Sequence, residues 1–262
     1  MAGSIVAPVT ALTTLLFYFG YVSTRQEYLF FGLDVDTIGL TTQDFVMRSG
    51  QPLLVPLIVL PLATAGVILG ARRLRPWLVG HQRVAEIIGS GLLVIGVLLL
   101  VAYQFVGDWP YYLVATPLVL ALGGMVAAYA AGLRHAPVPA RVALWLVVAA
   151  GVFWATTTVA QWSGAGLALE QAQHLDELPQ VVVDTPERLY LTSPDIAETA
   201  LPSVQGQKFA YRYRGWRLLI QKGDRMFLVP CQQTAEGCPW RPGSPTVLLA
   251  AGSGYRIQFY AP

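Results

Sequence analysis

Residues 84–106 read VAEIIGSGLLVIGVLLLVAYQFV: twenty-three positions with a single charge, Glu86, near the start. About 20 apolar residues in a helix cross a hydrocarbon core, so this stretch is long enough to span a bilayer. Four more runs of similar character lie around it, at Ile5–Val22, Pro52–Ala71, Tyr111–Leu133 and Val142–Trp162. The expectation is a bundle of five transmembrane helices over residues 1–166. The composition agrees: 55% of the residues are hydrophobic and 12% are charged, about half the charge of a soluble globular domain.

Charge in the connections sets an orientation. The second connection holds Arg72, Arg73, Arg75 and Arg83, and the fourth holds Arg134 and Arg141 around His135. The first has Arg25 and Arg48 beside Glu27, Asp34, Asp36 and Asp44, and the third has Asp108 and no base. Basic loops stay on the cytoplasmic side. Five crossings then place the amino terminus in the cytoplasm and the carboxyl-terminal segment outside a plasma membrane. Met-Ala-Gly-Ser carries no basic side chain and no clean cleavage site follows, so the first span reads as retained rather than as a signal peptide.

Ionisable residues inside a membrane mark proton or ion pathways, and these spans have almost none. Thr156, Thr157 and Thr158 and the prolines 56, 61 and 117 are the only features that suggest a transporter or channel subunit. Gly66 with Gly70, and Gly124 with Ala128 and Gly132, form small-residue faces. Such faces let helices approach closely, within the bundle or in a homo-oligomer.

The first connection, about residues 23–50, is patterned. Tyr28, Leu29, Phe30, Phe31 and Leu33 are apolar enough to rest among lipid headgroups. Thr41-Thr42-Gln43-Asp44 fits a capping box that opens a short interfacial helix, with Thr41 as N-cap. Asp34, Asp36 and Asp44 are the acids that a membrane enzyme acting on lipid-linked substrates would use. As a metal site they fall short: a calcium loop needs more oxygen ligands at fixed spacing.

Residues 167–179 read as a helical connector, and the remainder, 180–262, changes to strand signals. Expected strands are Val181–Val183, Arg188–Leu191, Phe209–Arg214, Trp216–Gln221, Met226–Val229, Thr246–Ala250 and Tyr255–Tyr260. Lys222-Gly223-Asp224-Arg225 and Ala251-Gly252-Ser253-Gly254 mark two hairpins. Strands so short and closely spaced suggest a small all-β sandwich or barrel. The two cysteines of the chain, Cys231 and Cys238, fall in this outer segment, where a disulfide persists.

Alternation puts Arg212 and Arg214 on one strand face, and Trp216 and Arg217 extend the pattern. These four form a candidate binding face for lipid headgroups, an anionic envelope component or another membrane protein. A solvated charged face is the plainer reading of the same residues. Nucleic acid is excluded by location. No cofactor motif is present: Gly252-x-Gly254 sits in a hairpin, and no nucleophile elbow surrounds Ser193, Ser203, Ser244 or Ser253.

Two stretches, YLFFGLDVDTIGLTTQDFVMRS (28–49) and YRYRGWRLLIQKGDRMFLVP (211–230), resemble a family of multi-pass membrane proteins from GC-rich Gram-positive bacteria. The resemblance implies a membrane topology and carries no activity. The expectation for function is a non-enzymatic membrane protein that presents an outer β domain for binding, scaffolding or sensing.

Overall fold

Among the described residues, seven α-helices precede an antiparallel sheet in the computed structural model. It describes residues 3–102, 105, 109, 111–191, 193–231, 237–241, 243–250, 252 and 254–261; at 3–8, 60, 68, 71, 72 and 74–79 it describes backbone alone. Asp108, used above for orientation, lies outside the described residues. The chain divides into two compact units, residues 49–162 and residues 1–48 with 163–262.

Helices α4 (Gly50–Gly80), α5 (Gln82–Val101) and α6 (Tyr112–Leu133) lie in the first unit, and α7 (Val138–Gln173) begins there and runs on into the second; each of the four is long and apolar enough to cross a membrane. Glycine brings α5 and α6 together. A Cβ on Gly89 would lie 2.7 Å from the backbone of Ala127, and one on Gly123 would lie 2.8 Å from that of Leu93. Gly151 of α7 meets the carbonyl of Pro117 in the same way, at 2.7 Å.

The small-residue faces expected from sequence divide on this point. Gly124 packs against Val148 and Leu144 of α7, and Ala128 is buried. Gly66, Gly70 and Gly132 face open space instead. A two-residue spacing rule cannot tell which side of a helix is covered. Thr156 and Thr157 return their hydroxyls to carbonyls four residues back, while Thr158 also reaches Leu113 O on α6 at 3.2 Å.

The second unit joins the two ends of the chain. α1 (Gly3–Phe30) covers the first expected span and continues to Phe30. After it come α2 (Val35–Ile38) and α3 (Thr42–Arg48). Asp34 caps α2 by accepting from Asp36 N at 3.1 Å, and Gly39 ends it with φ +78°. The capping box of α3 is formed: Asp44 accepts from Thr41 N and Oγ1, both at 2.7 Å.

The sheet contains β1 (Gln180–Thr185), β2 (Ala197–Ala200), β3 (Tyr211–Lys222), β4 (Arg225–Pro230), β5 (Val247–Ala250) and β6 (Arg256–Tyr260). Its order is β5-β4-β3-β1-β6, with β2 beside the first part of β3. Three expectations change. Arg188–Leu191 is not a strand, and Tyr190 there has φ +50°. The two strands expected around Gly215 are one, β3. The β5–β6 hairpin does not form: β5 pairs with β4 and β6 with β1.

These described strands make one open sheet, neither a closed barrel nor a two-sheet sandwich.

Helices, rather than a second sheet, cover one sheet face. Leu219, Phe227, Val229 and the two cysteines form one buried cluster with Tyr28, Phe31, Val35, Ile38 and Phe45, and with Ala168, Ala172 and Leu175. Thus Tyr28 (2% exposed) and Phe31 (1%) are core residues, not headgroup anchors as their sequence context suggests, although Leu29 is exposed. On the other face Val181, Val183, Tyr213, Trp216, Met226 and Leu228 form a second cluster.

Candidate cleft at the bend of the long strand

The alternation Tyr211-Arg212-Tyr213-Arg214 runs normally, then breaks at Gly215, whose φ of +99° suits glycine. A Cβ there would lie 2.5 Å from the carbonyl oxygen of Asp195, so a side chain at 215 would push away the segment before β2. The same position divides the pairing of β3. β2 begins, at Ala197, opposite Arg214, and β4 ends, at Pro230, opposite Trp216. Cys231 N donates to the Gly215 carbonyl at 2.7 Å.

A cleft of about 220 Å³ opens at this bend. Arg214, Trp216 and Arg217 line it, together with Gln180, Asp195 and Cys231. Three of the four residues in the expected binding face are therefore brought together. Arg214 is exposed, and no acidic side chain pairs with it among the described residues. Trp216 is buried, and its indole Nε1–H has no acceptor among the described residues. Arg217 is buried and donates to Leu178 O at 2.9 Å. Asp195 contributes a carboxylate that faces Arg241 at 3.5 Å. The lining thus offers the exposed guanidinium of Arg214 with one acid, Asp195, and a guanidinium suits anionic groups.

Arg212 does other work. It grips Asp184 with two hydrogen bonds, at 2.8 and 3.0 Å. Arg256 donates to the same carboxylate from β6, at 2.8 Å through Nε. Asp184 is fully buried. The Arg212 hydrogen bonds, and then those of Arg256, hold its carboxyl below the usual range against the effect of burial.

The acids of the first connection are dispersed. Asp34 and Asp36 belong to the α2 cap. Asp44 meets Lys222 at 2.5 Å, which with the Thr41 donors holds its carboxyl well below the ordinary range. Arg225 donates to Thr37 O at 3.1 Å, and Thr246 to Phe31 O at 2.7 Å. Three contacts therefore tie the first connection to strands β3 and β4 and to the residue preceding β5.

Cys231 and Cys238 form a disulfide with Cα atoms 5.7 Å apart. Beyond it, Trp240 rests on Phe30 and Phe31 with ring centroids 5.1 and 5.7 Å away. Its backbone N–H donates to Ala172 O on α7 at 2.7 Å.

Sequence reasoning missed Asp195, Gln180, Asp184 and Trp240. The available signal was Gly215 itself, since glycine inside a strand marks a bend or a close backbone approach. The partners that approach it come from distant segments and leave no local pattern. No family model, curated protein or solved structure matches this chain.

Proposed function

We propose that this is a plasma-membrane protein of five spans, α1 and α4 to α7, with a cytoplasmic amino terminus. Its sheet unit faces the cell envelope and binds an anionic envelope component at the cleft, as a scaffold or sensor. The observation that carries the reading is the cleft itself: its lining includes Arg214, which is exposed and has no acidic partner among the described residues, together with Trp216 and Arg217. The outward placement is supported by the charge alternation of the loops and by the disulfide, which suits an oxidising compartment. Helix lengths fit as well. α7, at 36 residues, is about 54 Å long against a core of about 30 Å, so it extends well beyond the bilayer.

The test uses the full chain in nanodiscs of neutral lipid. Poly(glycerol phosphate) is titrated against it, with neutral dextran as the comparison. The expected result is saturable binding of the phosphate polymer alone, weakened about tenfold by Arg214→Gln, the factor for losing about 1.4 kcal/mol. Equal binding by wild type and variant, or none by either, overturns the proposal.

A further inference from the structure

Helices α6 and α7 are tightly packed along the middle of their crossing, where Gly151 meets Pro117 and Gly124 meets Val148 and Leu144. Towards their connecting turn they diverge. A Cβ on Gly132 would meet nothing within 4 Å. The turn is sharp: Ala136 N returns to Ala131 O at 3.0 Å, and His135 sits at φ +55°. The divergence leaves a groove of about 380 Å³.

Its walls are Tyr129, Leu133, Val142 and Trp145, and among the described residues its only charged lining residue is Arg141. The neighbouring Arg134 is already paired, with Glu86 of α5. Arg141 has no ion-pair or hydrogen-bond partner for its side chain among the described residues. The groove therefore combines an apolar slot, two aromatic rings of the kind that settle at membrane interfaces, and one uncommitted guanidinium. It lies at the end of two helices that are each long and apolar enough to cross a bilayer. A neutral lipid leaves the guanidinium without an anion, and a soluble anion leaves the apolar walls uncovered. Basic pockets between membrane helices match anionic lipid headgroups.

We infer that this groove is a site for one anionic phospholipid, its phosphate on Arg141 and the upper part of an acyl chain between Tyr129 and Trp145. The site is separate from the cleft on the sheet and rests only on the helices being in the membrane. Carbonate extraction checks that condition independently, since a protein released from membranes fails it before any lipid is added.

The purified full chain is exchanged into detergent with phosphatidylglycerol or phosphatidylcholine, and retained lipid is counted by native mass spectrometry. One phosphatidylglycerol should be retained in preference to phosphatidylcholine. Arg141→Gln should weaken its retention about fivefold, the factor for one arginine near a lipid surface. Gly132→Leu, at a lining position where a Cβ would meet nothing within 4 Å, should displace the lipid while Arg141 stays in place. Arg73→Gln, an exposed arginine on α4 outside the groove, should retain the lipid as wild type does. Retention unchanged in both Arg141→Gln and Gly132→Leu overturns the site. So does an equal loss in Arg73→Gln, which marks binding to surface charge in general, or displacement of the lipid by glycerol 1-phosphate, which marks a simple anion site.

Discussion

Replacing Phe31 by Ala should destabilise the sheet unit even though Phe31 lies more than 140 residues from β1 in sequence. Its side chain is 1% exposed, edge-on to Trp240 at 5.7 Å, and clustered with Phe227 and Val229 of β4. Truncating a buried phenylalanine costs about 3–5 kcal/mol through lost transfer energy and the cavity left behind. For a unit of about 150 residues, each kcal/mol lowers the melting temperature by about 2–4 °C. The expected fall is thus about 6–20 °C. Thermal unfolding in detergent, followed by tryptophan emission, reads it, because Trp216 and Trp240 both belong to this unit. Leu29→Ala is the internal control: two positions away, 43% exposed, and expected to change stability by no more than about 0.5 kcal/mol. If Phe31→Ala shifts the transition no more than Leu29→Ala, the first connection does not form part of the sheet core and the reasoning fails.

Three other outcomes follow from the same contacts. The Asp184 carboxyl is held below its unfolded value, so its stabilisation is complete above the ordinary aspartate range near pH 3.9 and fades as pH falls through the lowered native value. Asp184→Asn should lower the denaturation midpoint at pH 7 and lack that acid limb, as measured by urea titrations between pH 7 and 3. Replacing both Cys231 and Cys238 by Ser should cost about 2–3 kcal/mol in the chain-entropy model and loosen Trp240, seen as greater quenching of its emission by acrylamide. Gly164→Ala should disrupt the crossing of α7 and α1, because its Cβ would fall 2.0 Å from the carbonyl oxygen of Ser23. Gly70→Ala, with nothing within 4 Å, should leave the melting temperature unchanged.

Legibility in the sequence follows the range of each interaction. Local signals hold: the apolar run 84–106 overlaps most of α5 and the run 111–133 contains α6, Thr41 and Asp44 make their cap, and Gly223-Asp224 turns β3 into β4. Cys231 and Cys238 pair because only a short loop separates them. What fails is non-local. Nothing in Ala251–Gly254 says that the strands beside it pair with β4 and β1 rather than with each other. The apolar run Tyr28–Leu33 suits a headgroup layer and a protein core equally by composition. Only the exposed Leu219, Phe227 and Val229 face of an isolated sheet would reveal that a cover is missing. For the cleft, Arg214, Trp216 and Arg217 were readable as a face, whereas Asp195 and Gln180 arrive from other segments.

The account stands on one claim, that the connection after α1 and the carboxyl-terminal sheet form a single body. Asp44 and Lys222, an ion pair across 178 positions of sequence, give the direct test. Cysteines are placed at both positions with Cys231–Cys238 left oxidised, and a protease site is inserted at residue 81, between α4 and α5. Intact protein is treated with a short bismaleimide, cleaved, and separated on a denaturing gel. The account predicts that the two fragments stay covalently joined as one band. Two separate fragments, in a protein whose single-cysteine controls both react with maleimide, would contradict it.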